Sequence, residues 1–396
     1  MPNHRPAPLH PLFSQKTIAR PVAISGVGIH TGKLVHLEIH PAPEGTGVVF
    51  RRTDSGVEIP ALASEVSSVE LATSLGRDDV TISTVEHLLA AVRVCDLDNL
   101  RIDLDGPEVP ILDGSALPFL HLLEAAGVRW QGAPRRILAI TSPIVVELGG
   151  KRIRASPFPG LRVSYAIDFA VPAIGHQEAD LVVNRESFAR ELAPARTFAL
   201  LAEVEWLHRR GLGLGGDLDN CIVFGPDGPT NTPLRFADEP VRHKALDVIG
   251  DLALAGCPVW AHVEVERGGH QVHFSLLEAL RERPGCWTWM EGAAPTASRT
   301  PRAPSVPDAL GWFDVPDSLD APCSDDSPAA MASIASHGSH ASHGSNGSNG
   351  SEPALGANGS NGGHGGNGGN TARDSNGATR TSRPARPARG GAASAG

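Results

Sequence analysis

The sequence lacks an excess of positive charge. Its 396 residues include 34 lysines and arginines against 44 aspartates and glutamates, which gives a formal net charge of −10. A general nucleic-acid binder draws most of its affinity from basic side chains that neutralise phosphates. The sequence also has no basic stripe with interleaved aromatic residues. We therefore expect no nucleic acid among the partners.

Long apolar runs are lacking as well. No stretch approaches the roughly 18 apolar residues of a membrane span, and the first residues, "MPNHRPAPLHPLFSQ", contain no apolar core of a secretion signal. The five cysteines are widely spaced and form no C-x-x-C pair, which excludes a thiolate zinc site and favours reduced thiols. We predict a cytoplasmic protein with at most peripheral membrane contact, and no feature indicates an obligate protein partner.

Neither of the two glycine-rich stretches is a nucleotide loop. "SGVGIHTGK" resembles a phosphate loop, but Leu34 follows Lys33 where that loop requires Ser or Thr. "RGLGLGGD" has glycines spaced almost as in dinucleotide-binding proteins, yet it follows a predicted helix instead of a strand. We interpret both as places where the backbone approaches a ligand or a neighbouring element.

The pattern of apolar residues predicts an α+β chain with two domains. Alternating runs such as "LVHLEIH" and "LRIDL" predict strands in the first half, and "STVEHLLAAVRVC" and "PFLHLLEAAG" predict helices. After "QGAPRR" the strands and helices recur, with predicted strands from "ILAITSPIVVEL" to "PVWAHVEVE" and a last helix near "SLLEALRER". We predict an N-terminal extension over residues 1–16 and domains over residues 17–133 and 134–291.

The last part of the chain differs in composition. From residue 292 onward it is mostly Ala, Pro, Ser, Gly and Asn, as in "SHGSHASHGSNGSNGS", with too few apolar residues to offset the entropy of ordering the backbone. We predict a disordered, low-complexity tail over residues 292–396. The less favoured alternative is weak metal capture by His337, His340 and His343, or contact of the basic end with an acidic surface.

The segment "VRHKALDVIGDLALAG" predicts an amphipathic helix. His243, Asp247 and Asp251 fall on one side of it, opposite the apolar residues. A His and an Asp four positions apart on a helix can bind one metal ion together. By itself the pattern favours a solvated polar face over a metal site.

A second segment, "TVEHLLAAV", places Glu86 directly before His87 in a mostly apolar helix. A hydrolytic zinc site needs three protein ligands, an open position for water and a carboxylate that takes the proton of that water. His87, His243 and Asp247 are candidate ligands, and Glu86 is the candidate base. The alternative for Glu86 is the capping-box partner of Ser83 at the helix start.

The third segment is "ERGGHQVHF", in which Gly268 and Gly269 turn the chain out of a strand and present His270. Such a histidine can reach into a cleft, and Asp251 as its partner would keep it protonated near neutral pH. The alternative is a loop histidine in water. We expect His262 and His273 to be ordinary strand-surface residues.

Eight stretches in a fixed order carry a family resemblance: "GVGIHTGK", "RRTD", "STVEHLLAAV", "PEVPILDGSALPF", "ARTF", "RGLGLGGDLDNCIV", "LRFADEPVRHKALDVIGDLALAG" and "GGH". Over most of its folded region the chain closely resembles the UDP-3-O-acyl-N-acetylglucosamine deacetylases of Gram-negative lipid A biosynthesis. The resemblance implies two related two-layer domains, each a sheet packed on helices with a small insertion, and an active site at the domain interface. It also implies Zn²⁺-dependent removal of the N-acetyl group from UDP-3-O-(3-hydroxyacyl)-N-acetylglucosamine, with release of acetate.

The resemblance implies roles for the catalytic residues. His87, His243 and Asp247 are similar to the zinc ligands, and Glu86 resembles the general base that activates water. His270 is similar to the cation that stabilises the oxyanion and protonates the leaving amine, with Asp251 orienting it. Thr197 of "ARTF" resembles a hydroxyl donor to the tetrahedral intermediate.

It implies roles for substrate-binding residues too. Phe198 resembles part of the substrate wall, and Lys244 a lysine near the sugar or the diphosphate. Arg267 stands where the family usually has a basic residue, so a diphosphate contact is expected from a planar donor, with Lys151 as a second candidate. Gly216 lies in the glycine-rich stretch that would help to build the acyl-chain passage.

Two rival functions differ in class. A catalytically silent protein with a structural zinc could bind a nucleotide sugar, but such a protein has no need for Glu86 and His270. A metal-independent sugar kinase would need a phosphate loop, which the sequence lacks.

Overall fold

A computed structural model describes residues 11–291 of the protein. The predicted tail, including His337, His340 and His343, and most of the predicted N-terminal extension lie outside the described residues. Residues 11–291 belong to one compact unit. The predicted domain boundary at residues 133 and 134 stays a prediction.

Within residues 11–291 the chain forms six α-helices, of which the third is a single turn. They are α1 Glu86–Val94, α2 Leu117–Ala126, α3 Arg185–Ser187, α4 Leu201–Arg209, α5 Glu239–Leu252 and α6 His270–Glu282. The same residues form twenty strands. They are β1 Ser14–Ile18, β2 Val22–Val27, β3 Leu34–Pro41, β4 Val48–Arg52, β5 Glu58–Pro60, β6 Val66–Ser68, β7 Ser74–Arg77, β8 Val80–Ile82, β9 Leu100–Leu104, β10 Val128–Pro134, β11 Arg136–Ile140, β12 Ile144–Leu148, β13 Lys151–Ser156, β14 Leu161–Asp168, β15 His176–Val183, β16 Phe198–Leu200, β17 Ile222–Gly225, β18 Gly228–Pro229, β19 Val259–Glu266 and β20 Trp287–Glu291.

The first half is built on a five-stranded sheet in the order β2-β3-β9-β4-β5. The pairing of β4 with β9 is parallel and the others are antiparallel. Alternate residues of β3, namely Val35, Leu37 and Ile39, are fully buried, as the period of two in "LVHLEIH" predicts. Helix α2 contacts β2 and α1. Two smaller groups, β1-β10 and β6-β7-β8, complete this half.

The second half is built around β19. This strand pairs antiparallel with β13 and parallel with both β11 and β14. The sheet has the order β12-β13-β19-β11-β20; β14 also pairs with β19, and β15 pairs with β14. Helix α6 packs on β12 and β13, and α5 packs on β14 and β15. Each half is therefore a sheet covered by helices, which confirms the α+β class.

Helices α1 and α5 pack against each other where the two halves meet. At Gly250 of α5 a Cβ atom would overlap the carbonyl oxygen of Glu86, so only glycine allows this approach. Most of α5 is buried, including His243, Asp247 and Asp251. The interpretation of its polar side as a solvated face is wrong, because α1 covers that side.

The two glycine-rich stretches lie against each other. The Gly215 N–H donates to the carbonyl oxygen of Ile29 at 3.0 Å, and the Leu214 N–H donates to that of His30 at 3.2 Å. A Cβ atom at Gly215 would overlap the carbonyl oxygen of Gly28. The interpretation of these stretches as places of close backbone approach is confirmed.

The cysteines only partly agree with the expectation of reduced thiols. Cys95, Cys221 and Cys257 are free and buried, whereas Cys286 is disulfide-bonded, so the expectation is wrong for that residue. Among the helices of residues 11–291, none is both long and apolar enough to cross a membrane.

Candidate active site

Three side chains from α1 and α5 converge on one point. The ligand atoms of His87, His243 and Asp247 all lie within 4.8 Å of one another. Asp247 Oδ1 is 3.7 Å from His87 Nε2 and 3.4 Å from His243 Nε2. All three residues are buried. The two imidazoles and the carboxylate therefore turn their lone pairs toward a single position.

The surroundings of these groups fit a bound cation. The Nδ1 atom of His243 lies 3.0 Å from the carbonyl oxygen of Ala195, which can only accept, so Nδ1 carries the proton and Nε2 keeps its lone pair. Asp247 Oδ1 is buried and has no hydrogen-bond partner among the described residues. Burial lowers the pKa of His87 to about 3, so this imidazole is neutral. A metal ion would satisfy all three groups.

The second oxygen of Asp247 pairs with a lysine. Lys244 Nζ lies 2.9 Å from Asp247 Oδ2 and 5.9 Å from the centre of the Phe198 ring. Burial alone would lower the pKa of Lys244, but the carboxylate of Asp247 outweighs it and raises that pKa. Lys244 is thus a fixed cation beside the three converging groups.

Glu86 is the first residue of α1, and its carboxylate is buried. Oε2 accepts a hydrogen bond from the Thr73 N–H at 3.1 Å, and Oε1 lies 3.8 Å from His270 Nε2. Burial, which outweighs the nearby charge of His270, raises the pKa of Glu86 to about 7.

The capping-box alternative for Glu86 is wrong. The cap residue of α1 is Val85, which makes no side-chain cap, and the Ser83 hydroxyl instead accepts a hydrogen bond from Ser74 at 3.0 Å. Thr84, which lies between Ser83 and Val85, has a φ of 60°. The backbone therefore changes direction there, and Ser83 does not lie at the cap position of the helix. The Thr84 hydroxyl bonds Glu108 at 3.0 Å.

His270 begins α6 and is buried, so the alternative of a loop histidine in water is wrong. Its Nδ1 atom lies 2.8 Å from Asp251 Oδ2. Burial alone would lower the pKa of His270, but Asp251 outweighs it and raises that pKa to about 9. The turn before the helix is tight, because a Cβ atom at Gly268 would collide with the Val265 side chain and with the Tyr165 hydroxyl. The helix therefore starts five residues before the predicted "SLLEALRER".

His273 is not the strand-surface residue that the sequence predicts. It lies on α6, is fully buried, and its Nδ1 atom is 2.7 Å from Asp251 Oδ2. Its Nε2 atom is 3.0 Å from the Tyr165 hydroxyl. The spacing of His270 and His273, three residues apart on one helix, is the signal that could have placed both on one face. His262 does lie on a strand, where it is half-buried and bonds Ser164 at 2.8 Å.

Two residues of the "ARTF" segment, Thr197 and Phe198, lie at the start of β16. Thr197 directly precedes β16, is half-buried and donates its N–H to the carbonyl oxygen of Gly114 at 2.8 Å. Phe198 contacts Phe169 and Phe224 with ring centres 5.6 and 6.0 Å apart, which builds an apolar wall beside Lys244.

A buried ion pair holds this segment on the start of α5. Arg196 Nε lies 2.9 Å from Glu239 Oε1, and both side chains are buried. The same carboxylate accepts the backbone N–H groups of Arg196 at 3.0 Å and Arg235 at 2.6 Å. The pair thereby keeps the carbonyl oxygen of Ala195 in place for His243. The sequence analysis did not identify Arg196 or Glu239.

The three remaining predicted residues lie at the ends of strands or in a turn, and none of them is on α1 or α5. Arg267 is exposed after β19 with a φ of 53°, and Lys151 begins β13. Because Arg152 pairs with Glu266, both residues lie at the end of the sheet where β13 starts and β19 ends, and Arg267 is three residues before His270 in the chain. Gly216 is exposed in the turn after α4, where its N–H donates to Gly213.

Known proteins match this chain over most of the described region. The family model described as UDP-3-O-acyl N-acetylglycosamine deacetylase matches residues 15–282. A UDP-3-O-acyl-N-acetylglucosamine deacetylase from Syntrophotalea carbinolica is 44% identical over 283 residues, which cover 71% of this chain and 92% of that protein. The protein of the same name from Myxococcus xanthus is 46% identical over 283 residues, which cover 69% and 88%. The match includes the helices that carry the converging side chains, and the chain belongs to the UDP-3-O-acyl N-acetylglycosamine deacetylase family.

Proposed function

We propose that this protein removes the N-acetyl group from UDP-3-O-(3-hydroxyacyl)-N-acetylglucosamine, giving the free amine and acetate, in lipid A biosynthesis. One structural observation supports this proposal in addition to family membership. A carboxylate and a histidine, Glu86 and His270, face each other at 3.8 Å beside a group of three side chains that could hold a metal ion. In metal-assisted amide hydrolysis, a base takes the proton of the attacking water and an acid protonates the leaving amine beside the metal site.

We propose Zn²⁺ as the ion held by His87, His243 and Asp247. Two imidazoles and one carboxylate form a donor set of hydrolytic zinc sites, which leave a further position open. A bound zinc supplies Lewis acidity that polarises a carbonyl and lowers the pKa of water. The partnerless Oδ1 atom of Asp247 supports this proposal, because a buried carboxylate oxygen without a donor is costly.

Glu86 is the proposed general base. Its buried carboxylate has a pKa of about 7, so a large fraction can accept the proton of the attacking water near neutral pH. His270 is the proposed acid, since Asp251 keeps its imidazole protonated with Nε2 facing Glu86. Water adds to the acetamide carbon, the C–N bond breaks, and the amine leaves with a proton from His270. The positive charge of His270 also stabilises the oxyanion.

The substrate-binding roles follow the same proposal. The Thr197 hydroxyl donates to the oxyanion, and Phe198 forms part of the wall beside the sugar. Lys244 and Arg267 supply positive charge for the sugar or the diphosphate, with Lys151 as a second candidate, and Gly216 lets the backbone approach the acyl chain. A cytoplasmic location stays a prediction.

The proposal is tested by bound-metal analysis together with a deacetylation assay on the UDP-linked acylated sugar. We expect a chelator to abolish acetate release and added Zn²⁺ to restore it. His87→Ala should lose bound metal, whereas Glu86→Gln should keep the metal and lose about 10²- to 10⁴-fold in kcat. His262→Gln is the matched histidine control and should keep both.

Several results would contradict the proposal. Full metal content in His87→Ala would remove that ligand assignment, and unchanged turnover in Glu86→Gln would remove the base. Bound metal with no acetate release would favour the rival, a silent protein that binds a nucleotide sugar.

A further inference from the structure

The Asp251 carboxylate is the centre of a buried network that extends beyond the proposed acid. Its Oδ1 atom accepts the Thr73 hydroxyl at 2.6 Å. Its Oδ2 atom lies 2.8 Å from His270 Nδ1 and 2.7 Å from His273 Nδ1. A carboxylate with a lowered pKa only accepts hydrogen bonds, so both Nδ1 atoms carry protons. Three donors therefore fix the orientation of Asp251.

Thr73 connects this network to the proposed base. Its backbone N–H donates to Glu86 Oε2 at 3.1 Å, while its hydroxyl donates to Asp251. The same hydroxyl oxygen lies 3.3 Å from His270 Nδ1. Thr73 directly precedes β7 and is buried. One residue outside α1, α5 and α6 thus contacts Glu86, Asp251 and His270.

His273 connects the network to the only tyrosine of the chain. Since its Nδ1 atom carries a proton, its Nε2 atom can accept the Tyr165 hydroxyl, 3.0 Å away. Burial raises the pKa of Tyr165 and lowers that of His273. The tyrosine therefore stays a donor and His273 stays neutral. His270 remains the one protonated histidine on Asp251, because a neutral His273 orients the carboxylate without competing for its charge.

We propose that Thr73 and His273 are positioning residues of the deacetylation. Together they orient the Asp251 carboxylate that holds His270, and Thr73 in addition holds Glu86 at a set distance from His270. This inference rests on the proposed function, in which Glu86 is the base and His270 the acid. It adds to that function the two residues, outside the three candidate ligands, that set the geometry of the acid-base pair.

The first test replaces the Thr73 hydroxyl by a methyl group of the same shape. In Thr73→Val the backbone N–H to Glu86 remains, but Asp251 Oδ1 loses its donor. We expect kcat to fall about 10- to 100-fold, the loss expected for one hydrogen bond to a charged group. We also expect KM and metal content to stay unchanged. In the pH dependence of the rate, the loss of activity on the basic side should move to lower pH. Thr73→Ser should restore most of the activity.

Thr17→Val is the matched control for stability. Thr17 is also fully buried, and its hydroxyl donates to the carbonyl oxygen of Asn99 at 2.6 Å. We expect this variant to lower the melting temperature while leaving the rate profile unchanged. A merely structural role for Thr73 predicts the same outcome for both variants.

Two variants of His273 provide an independent test, which still applies if Thr73→Val fails to fold. Asn retains a donor close to the position of Nδ1, whereas Leu retains only bulk. We expect His273→Asn to keep most of the activity and His273→Leu to lose it as Thr73→Val does. Equal activity in the two variants would contradict a positioning role for His273.

A readout that does not use activity is the NMR titration of the His270 imidazole in the full metal-loaded chain, assigned with His270→Gln. We expect the pKa of His270 to fall in Thr73→Val and to stay unchanged in Thr17→Val.

If Glu86→Gln is inactive but Thr73→Val has the wild-type pH dependence of the rate and the wild-type His270 titration, the inference is wrong while the proposed function stands. If Glu86→Gln and His270→Gln are fully active, the proposed function itself fails.

Discussion

At the scale of single residues, burial and partner charges set the protonation of the acid-base pair. Glu86 and His270 lie 3.8 Å apart in the interior. Burial raises the pKa of Glu86 to about 7, and Asp251 overcomes burial to raise that of His270 to about 9. Both shifts are upward but have different causes. Between the two values, a deprotonated carboxylate and a protonated imidazole coexist, as the proposed reaction requires.

These directions predict a bell-shaped dependence of kcat/KM on pH. Activity should rise as Glu86 loses its proton, at or below a pH of about 7, because a bound cation nearby favours the carboxylate further. Activity should fall as pH rises through about 9, where His270 loses its proton. The measurement is kcat/KM across this range with the metal content held constant.

His270→Gln is the informative variant for that profile. Its residual activity should lack the basic limb, because glutamine does not titrate. A basic limb that persists unchanged in this variant would assign the acid to another group.

At the scale of the elements, the site depends on the close approach of α1 and α5. Gly250 leaves room for the carbonyl oxygen of Glu86, so the first turn of α1 lies directly on α5. The same contact brings His87 toward His243 and Asp247. One residue without a side chain therefore positions both the proposed base and the candidate ligands.

Gly250→Ala tests this packing. Alanine gains about 1 kcal/mol of helix propensity over glycine. The overlap with Glu86 nevertheless forces the helices apart, and overpacking of this kind costs about 1 to 3 kcal/mol or more. We therefore expect a lower free energy of unfolding and a lower kcat, measured by denaturant unfolding and by the deacetylation assay.

Gly45→Ala is the control for that experiment. Gly45 has a φ of 77° and open space around its Cβ position, so it tests backbone strain without a clash. We expect it to lose about 1 kcal/mol of stability and no activity. A Gly250→Ala variant with wild-type activity and stability would mean that α1 and α5 need not approach this closely.

At the scale of the whole molecule, a bound ion would join its two halves. His87 comes from the helix α1 of the first half, whereas His243 and Asp247 come from α5 of the second half. In the unfolded chain these ligands are far apart, so binding free energy adds to folding free energy.

Removal of the metal should therefore lower the melting temperature. With free metal at about 100 times its Kd, the linked stabilisation is about 2.7 kcal/mol. We expect a chelator to lower Tm in the wild-type protein and to leave Tm of His87→Ala unchanged, measured by thermal unfolding. A wild-type Tm that does not respond to complete metal removal would contradict a metal held between the two halves.

The sequence by itself determined the α+β class and much of the candidate site. Periods of two and of about 3.6 residues are local properties, so β3, β9, β19 and α2 lie close to where the alternation predicts them. The pairs Glu86 with His87 and His243 with Asp247 are also local, because both lie within one helical turn. The family motifs then joined these pairs into one set.

Only the tertiary structure decided what surrounds that set. Thr73 and Asp251 are separated by 178 residues, and Tyr165 and His273 by 108, so no periodic pattern connects them. The polar side of α5 is buried because α1 packs on it, and the turn before α6 is tight partly because Tyr165 lies against it. Contacts between distant segments arise from packing, which local periodicity does not encode, and these contacts set the orientation and the charge of Asp251 and His270.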